Sequence, residues 1–246
     1  MMVSFIIPVF NQIELTLRCI SSLQETVTKI DYEIVIVDDC SNDETATQLR
    51  TLKSDTIHVF RNNENLGYAK SNNIGARNAN GDYLFLLNND LVFSRKWIEP
   101  MLSGLRKRKV GIVGNVQLDA TIGEIDHSGF LFDGKGTLRH KKTPNLKGSF
   151  TEFLAVTGAC LAIRKDLYHE LEGLDERYEN GCEDIDLCFK AKEIGLKTIV
   201  ANESTINHYV SSTRGINNLH NESNMRLFQT KWRSQISTTM ARTWPA

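Results

Sequence analysis

Short apolar runs alternate with longer amphipathic segments along the first half of the chain. The run at residues 3–9 predicts a buried strand, and apolar residues at helical spacing follow it as far as residue 23. The same alternation continues to residue 116, with predicted strands at 33–37, 57–60, 83–87 and 110–116 and predicted helices at 45–52, 68–79 and 97–108. Strands that alternate with helices favour an α/β fold in which a mostly parallel central sheet is flanked by helices.

The periodicity fades between residues 118 and 149, a stretch rich in Gly, Lys and His. We expect loops or a small antiparallel addition there, because a long irregular segment inside a compact domain is usually a binding loop. A recognisable hydrophobic pattern resumes with an apolar run at 155–164. It is followed by a helical pattern from Glu183 that ends at Gly195 and by a predicted strand at 197–200. We predict a single domain over residues 1–216 and a helical tail over 217–246, packed on this domain or extending from it.

The composition is that of a globular chain. Hydrophobic residues make up 41% and charged residues 24% of the 246 residues, which excludes disordered and collagen-like classes and is enough for one sizeable core. The net charge is −1 and the pI is near 6.6, so we expect no nucleic-acid partner, since nucleic-acid-binding domains are usually strongly basic. The five cysteines have no metal-ligand spacing and fit reduced thiols.

No apolar run approaches the roughly 20 residues that span a bilayer, and the first residues lack the basic start and the cleavage site of a signal peptide. We therefore expect a cytoplasmic protein. The basic run at residues 106–109 leaves a peripheral contact with the inner face of the membrane open, although four basic residues at a helix end are more often a solvated terminus.

Acidic and amide side chains follow the predicted strands. Asp38 and Asp39 close the second strand, Asn88-Asn89-Asp90 follows the fourth, and Glu183-Asp184-Ile185-Asp186 opens the late helix. Each group alone has an ordinary explanation as a turn or a helix start. Ligands of parallel α/β sheets bind beyond the carboxyl ends of the strands, so together these groups predict a site at that edge.

The chemistry of this set suits a divalent cation and a general base. Mg²⁺ takes one or two carboxylates and completes its shell with phosphates and water, and Asp90 is the best such ligand in this sequence. A separate carboxylate, away from the ion, would take a proton from a hydroxyl. The chain has neither a Gly-rich dinucleotide fingerprint after its first strand nor a P-loop, so a nucleotide would be bound by other means.

These residues belong to a longer series of ordered motifs. The first half contains Val3-Ser4-Phe5-Ile6-Ile7-Pro8-Val9-Phe10-Asn11, Val37-Asp38-Asp39-Cys40-Ser41, Asn65-Leu66-Gly67-Tyr68-Ala69, Asn72-Asn73, Gly81-Asp82-Tyr83 and Leu87-Asn88-Asn89-Asp90. The second half contains Thr157-Gly158-Ala159-Cys160, Gly173-Leu174-Asp175-Glu176, Glu183-Asp184-Ile185-Asp186-Leu187-Cys188 and Asn207-His208. Over residues 3–208 the series resembles the inverting family-2 glycosyltransferases of the GT-A fold, and so many motifs in the family's order make the resemblance specific.

The resemblance implies a nucleoside pocket lined by Pro8, Val9 and Phe10. Asp39 would accept a hydrogen bond from the base, at the imide of a uracil or a thymine. Phe10 is also compatible with a place in the core.

The resemblance also implies that Asn65, Gly67 and Asn72 border the nucleotide-sugar, as would Asn89. Gly67 would let the backbone approach the ligand closely, although an ordinary turn explains this glycine nearly as well.

The segment from Asn88 to Asp90 stands at the family's Asp-x-Asp position, with Asn88 in place of the first acid. By resemblance, Asn88 would contact the ribose or a metal-bound water, and Asp90 would hold Mn²⁺ or Mg²⁺. His208 resembles the histidine that completes the metal or diphosphate site in relatives, although a lone histidine is usually structural. The substitution at Asn88 puts the metal affinity in doubt, and leaves the expected fold unaffected.

Asp184 is the candidate catalytic base, and Glu183 beside it would bind acceptor hydroxyls. Asp186 faces another side of the helix and would anchor the helix or a loop. The alternative is that the whole cluster is simply an acidic helix start.

The implied activity is metal-dependent transfer of a sugar from a UDP- or dTDP-sugar to a hydroxyl of a glycan or a lipid-linked acceptor, in surface polysaccharide or glycan biosynthesis. A sugar nucleotidyltransferase is one alternative, although it would normally need a Gly-rich loop with basic residues after the first strand. A glycan-binding protein of the same fold that has lost turnover is the other. The residues at 134–147 and the polar tail are expected to shape the acceptor side.

Overall fold

The computed structural model describes residues 1–133, 137–142, 147–209 and 221–243. The strands are β1 (Met2–Val9), β2 (Asp31–Asp38), β3 (Ile57–Arg61), β4 (Tyr83–Leu87), β5 (Leu91–Phe93), β6 (Val110–Asp119), β7 (Ile125–His127), β8 (Phe130–Phe132), β9 (Leu138–His140), β10 (Phe150–Phe153), β11 (Cys160–Arg164) and β12 (Lys197–His208). The helices are α1 (Ile13–Thr26), α2 (Thr45–Thr51), α3 (Gly67–Asn78), α4 (Ile98–Leu105), α5 (Lys165–Glu170), α6 (Glu183–Glu193), α7 (Asn221–Lys231) and α8 (Arg233–Thr243).

A large central sheet organises the described part of the chain. Its strand order is β10-β12-β6-β11-β4-β1-β2-β3, with β5 beside β12 and β7 beside β6. The pairs β1–β2, β1–β4, β2–β3 and β6–β12 are parallel, and β8 and β9 form a separate antiparallel sheet. This arrangement confirms the predicted α/β class with a mostly parallel sheet and a small antiparallel addition in the second half.

The sequence explains the layers on both faces of the sheet. β1 is apolar at almost every position and its residues 3–7 are buried, as expected for a strand covered by helices on both sides. α1 buries an apolar stripe at helical spacing and leaves its other face polar. The two sides of the sheet form two hydrophobic clusters, and the side with α1 and α4 encloses the fully buried Trp97.

Two details differ from the sequence-based expectations. The predicted helix at 97–108 covers only Ile98–Leu105, and the following basic residues are exposed. β11 runs antiparallel between β4 and β6, so the central sheet itself contains an antiparallel strand. Periodicity cannot reveal strand direction, because a buried apolar run looks the same in either orientation.

The C-terminal tail contains two helices, and buried Phe228 and Trp232 pack it against the cluster that includes α6. The predicted boundary between residues 216 and 217 lies outside the described residues, as do 134–136 and 143–146 of the stretch expected to shape the acceptor side.

Candidate active site

A cavity of about 430 Å³ opens at the carboxyl ends of the parallel strands. It is large enough for a small-molecule ligand. Most of the predicted site residues line it: Pro8, Val9, Phe10, Asp39, Asn65, Gly67, Asn88, Asn89, Asp90, Glu183, Asp184 and His208. Residues from distant parts of the chain therefore meet at one edge of the sheet, which is where the strand ends predicted a site.

Asp39 organises the loop that closes one end of the cavity. Its Oδ1 accepts hydrogen bonds from the backbone N–H of Leu66 and from the side chain of Asn62, both at 2.8 Å. Its Oδ2 accepts from the N–H of Gly67 at 2.8 Å. Gly67 has a φ of +81°, which L side chains rarely adopt, so the turn requires glycine at the position where the loop reaches the cavity.

Phe10 is 39% exposed and lines the cavity, so its alternative placement in the core does not apply. Asn72 does not lie where it was expected. Its side chain is fully buried, and its Nδ2 donates to the Tyr68 carbonyl one helical turn earlier, at 3.0 Å. The cavity is lined instead by Tyr68, whose hydroxyl donates to the Gly158 carbonyl at 2.7 Å. Tyr68 precedes Asn72 by one turn of α3, so the helix lines the cavity one turn before Asn72.

Asp90 and His208 form a close pair at the ends of two strands. Asp90 precedes β5, His208 ends β12, and β5 and β12 pair so that His208 lies opposite Leu91. The Nε2 of His208 is 3.2 Å from Oδ1 of Asp90, and the two residues are only 9% and 3% exposed. Two ligand atoms of this kind at this separation fit one divalent cation such as Mn²⁺ or Mg²⁺.

The described residues contain no cluster of three or more His, Cys, Asp or Glu that could hold a metal ion. Within this part of the chain the pair therefore leaves coordination positions open for a ligand and water. Charge favours such an ion as well. Five carboxylates line the cavity, whereas Lys142 is the one Lys or Arg among the described lining residues, and it is paired with Asp126 at 2.8 Å. A diphosphate would be repelled by this surface unless a cation accompanied it.

Asn88 and Asn89 are both held by hydrogen bonds to neighbouring elements. The Asn88 N–H donates to the Ala159 carbonyl at 2.9 Å. The Asn89 side chain donates to Thr16 on α1 at 2.9 Å, and Asn89 is buried. Asn88 therefore occupies the predicted position beside Asp90, and the amide of Asn89 is already engaged by α1.

Asp184 and Glu183 stand at the first turn of α6, after a left-handed Cys182 with a φ of 75°. The Gly158 N–H donates to Oδ2 of Asp184 at 2.7 Å, and the Gly181 N–H donates to the Glu183 carboxylate at 2.6 Å. Each carboxylate oxygen has two lone pairs, so Asp184 is oriented by this contact and can still accept a proton.

Sequence reasoning named no site role for several residues of the cavity wall: Tyr68, Gln117, Asp126, His127 and Asn180. It included His140 and Lys142 only within the stretch 134–147 that was expected to shape the acceptor side. Most of them lie on the short strands and turns of the region where periodicity fades. The richness of that stretch in His and Lys was the available signal, but strands of three residues are too short to show which side chains point inward.

His127 and His140 form a pair, with their Nδ1 atoms 3.0 Å apart. Burial, aided by the nearby His140 and His208, holds the pKa of His127 well below its ordinary value, so this ring is neutral. Its Nε2 accepts from the Thr157 N–H at 3.2 Å. A neutral ring that accepts at Nε2 carries its proton on Nδ1, so His127 donates to His140.

The basic run at residues 106–109 lies at the amino ends of the parallel strands, opposite the carboxyl ends where the cavity opens. β6 starts directly after Lys109 and reaches the cavity at Gln117, and eight strand residues span roughly 26 Å.

The family follows from comparison with known proteins. A profile described as "Glycosyl transferase family 2" matches residues 4–171. The chain belongs to this family. The family-2 match confirms the family expected from the motifs, and it ends before Asp184 and His208.

Relatives of this family-2 chain are mostly longer proteins. It is 26% identical over 224 residues to the O-antigen biosynthesis protein RfbC of Myxococcus xanthus. This alignment covers 86% of this chain and 18% of RfbC. The crystal structure of GalNAc-T7 with UDP, GalNAc and Mn²⁺ superposes with a TM-score of 0.73 at 21% identity, covering 84% of this chain and 43% of that one.

A mannosyltransferase from Pyrobaculum calidifontis, PcManGT in complex with GDP-Man and Mn²⁺, superposes with a TM-score of 0.64 at 17% identity, covering 98% of this chain and 63% of that one. The two structures confirm the GT-A fold of the family-2 chain, which spans less than two thirds of each of these three proteins. Within the described residues, no helix combines the length and apolar character needed to cross a bilayer.

Proposed function

We propose that this chain is an inverting glycosyltransferase that moves a sugar from a nucleotide-diphosphate sugar to an acceptor hydroxyl. One observation carries the proposal: the oriented carboxylate of Asp184 and the Asp90–His208 pair line the same cavity as the loop held by Asp39. One ligand in this cavity could therefore reach a proton acceptor at Asp184, a diphosphate position at the Asp90–His208 pair and a nucleobase position beside Asp39.

In the proposed reaction, the acceptor oxygen attacks the anomeric carbon from the face opposite the diphosphate. The new C–O bond forms as the bond to the diphosphate oxygen breaks, which inverts the configuration at that carbon. Asp184 takes the hydroxyl proton in this step, because an alcohol is a poor nucleophile at neutral pH. Glu183 would orient the acceptor by accepting hydrogen bonds from its other hydroxyls.

Asp90 and His208 would hold Mn²⁺ or Mg²⁺. When bound, this ion would neutralise the charge that develops on the departing diphosphate. That role is supported by the donor atoms of the pair and by the excess of carboxylates in the cavity, and the two structural neighbours contain Mn²⁺.

On the donor side, Pro8, Val9 and Phe10 would hold the nucleoside, and Asp39 would accept from the imide of a uracil or a thymine, so a UDP- or dTDP-sugar is the proposed donor. Asn65, Gly67, Asn88 and Asn89 would border the rest of the donor. The proposed acceptor is a glycan or a lipid-linked sugar in surface polysaccharide biosynthesis, a setting that the name of RfbC supports. The cytoplasm is the proposed location.

The test is to incubate the protein with UDP-, dTDP- and GDP-sugars and Mn²⁺, and to measure release of the nucleotide with and without candidate acceptors. The Asp184→Asn variant should lose turnover by about 10²- to 10⁴-fold and should still bind the donor. Asp55→Asn is the matched control, because Asp55 is exposed in the turn before β3, at the other edge of the sheet. Near-full turnover in Asp184→Asn would overturn the assignment of the base, and no turnover of any donor by the wild type would overturn the function.

A further inference from the structure

Asp186 is a fully buried carboxylate on α6, two residues after Asp184. Its Oδ1 accepts from the Trp232 indole N–H at 2.7 Å and from the Tyr178 hydroxyl at 3.1 Å. Its Oδ2 accepts from the Lys231 ammonium at 2.9 Å. A buried charge is tolerated only with partners of this kind, and two of these partners come from the C-terminal tail.

Lys231 joins α6 to the segment that precedes it. Its ammonium also donates to Oδ2 of Asp175 at 2.8 Å. The neighbouring Arg177 and Lys231 hold the pKa of Asp175 well below its ordinary value, so this carboxylate is ionised. One ammonium from α7 therefore bridges two carboxylates, one on each side of the segment at residues 176–185.

A second contact holds the middle of the same segment. The Asn224 side chain on α7 donates to the Glu179 carbonyl at 3.0 Å and accepts from the Glu179 N–H at 3.2 Å. The next residue, Asn180, lines the cavity and accepts from the Tyr68 N–H at 3.1 Å. α7 is thus bonded at two places to residues that lie one or two positions from Asn180 and Asp184 of the cavity wall.

Aromatic packing supports these contacts. The ring of Phe228 meets Phe189 of α6 edge to face at 5.0 Å, and the Trp232 ring lies 5.7 Å from Phe189. A well-packed apolar group in place of the buried charges would stabilise this interior equally well or better. The directional bonds to the buried carboxylate determine how α6 is rotated and shifted relative to α7. Apolar packing alone would determine this position less tightly.

We propose that α7 is a positioning element for the candidate catalytic base, and that Lys231 and Trp232 are positioning residues acting through Asp186. They fix the first turn of α6 so that Asp184 points at the acceptor hydroxyl. This inference rests on the proposed function. Displacement of a reacting group by about 1 Å costs on the order of 10²-fold in rate, so loss of these contacts should slow turnover without weakening donor binding.

The experiment uses the full chain with three variants. Lys231→Met removes the bridging ammonium, and Lys231→Arg restores the charge. Trp232→Phe keeps an aromatic ring but removes the indole N–H together with part of the ring system. Arg226→Met on the same helix is the matched control, because Arg226 is exposed and its partner is the exposed Glu222. We expect kcat to fall by about tenfold or more in Lys231→Met, to fall less in Trp232→Phe, to recover partly in Lys231→Arg, and to stay unchanged in Arg226→Met. The Kd of the donor should stay within about twofold throughout.

Hydrogen–deuterium exchange supplies a readout that does not need turnover. The Gly158 amide donates to Asp184, so loosening the start of α6 should speed its exchange in Lys231→Met and in Trp232→Phe. A lower Tm with unchanged kcat and unchanged exchange at Gly158 would show a merely structural role and overturn the proposal. Wild-type protein without turnover would overturn the proposed function instead, and the exchange at Gly158 would still report whether α7 fixes the start of α6.

Discussion

The backbone N–H of Gly158 donates a hydrogen bond of 2.7 Å to Oδ2 of Asp184. This contact joins the turn before β11 to the first turn of α6, two segments that are 26 residues apart in the chain. Together with the bond of 2.8 Å that the Ile185 N–H donates to Oδ1, it fixes the direction of the Asp184 carboxylate at the cavity wall.

Replacement of Gly158 by alanine tests this orientation. A Cβ at this position would lie 2.8 Å from the Tyr68 hydroxyl and 3.2 Å from the Asp184 Cβ, so one of these side chains must move. We expect Gly158→Ala to lower kcat by about tenfold or more with the donor Kd almost unchanged, measured by steady-state kinetics and calorimetry. The double variant Gly158→Ala, Tyr68→Phe removes the closer obstacle and should recover part of the loss. Full activity in the single variant would contradict the orienting role.

The metal site can be strengthened at Asn88. In Asn88→Asp a second carboxylate would stand beside Asp90, and added ligand charge lowers the Kd for a hard divalent cation by roughly an order of magnitude. The measurement is the Mn²⁺ concentration that produces half of the maximal thermal shift. Asn78→Asp, at an exposed position at the end of α3, is the control for a simple change in net charge. An unchanged Mn²⁺ response in Asn88→Asp, or full activity of the wild type in EDTA, would contradict the proposed roles of Asp90 and His208.

Stability should depend on pH through His127. Its pKa is held well below the ordinary value by burial and by His140 and His208, so the folded protein keeps this ring neutral when the unfolded chain takes up a proton. The free energy of unfolding should therefore fall as the pH drops below about 6.5, with up to about one extra proton bound on unfolding. Urea denaturation between pH 7.5 and pH 5 measures the slope, and His127→Gln should reduce it. Equal slopes in the two proteins would contradict this assignment.

The cysteines should differ sharply in reactivity. Cys19, Cys160, Cys182 and Cys188 are buried, whereas Cys40 is part-exposed. Burial raises the pKa of both Cys19 and Cys188 to about 12, which leaves almost no thiolate at neutral pH. We expect a thiol reagent to modify Cys40 quickly in the native protein and the other four only after unfolding. Mass spectrometry of the labelled peptides measures this, with Cys40→Ser as the control, and rapid labelling of Cys160 would be inconsistent with the buried β11.

The first half of the fold was predictable because its signals are local. β4 was predicted at its observed bounds, and β1, β2 and β3 differed from the prediction by a residue or two at their ends. Asp39 directly follows β2, and Asp90 comes three residues after the end of β4. Both could be placed because the carboxyl ends of these parallel strands lie together.

Other parts of the site depend on long-range packing. Tyr68 rather than Asn72 lines the cavity because of the rotation of α3 about its axis against the sheet. The polar pattern of that helix does not specify this rotation. His127 enters the cavity because β7 pairs with β6, and His140 reaches it through the pairing of β8 with β9. Neither pairing leaves a periodic signal in strands of three residues.

The long strand β12 carries a final consequence. Residues 202–204 have no partner on β6, and beyond them the pairing resumes and ends with His208 beside β5. Side chains alternate between the two faces of a strand, so one residue added to or removed from this bulge would turn His208 away from Asp90 without altering either residue. The length of the bulge at residues 202–204, which is remote in sequence from Asp90, thus decides whether the His208 side chain points toward Asp90.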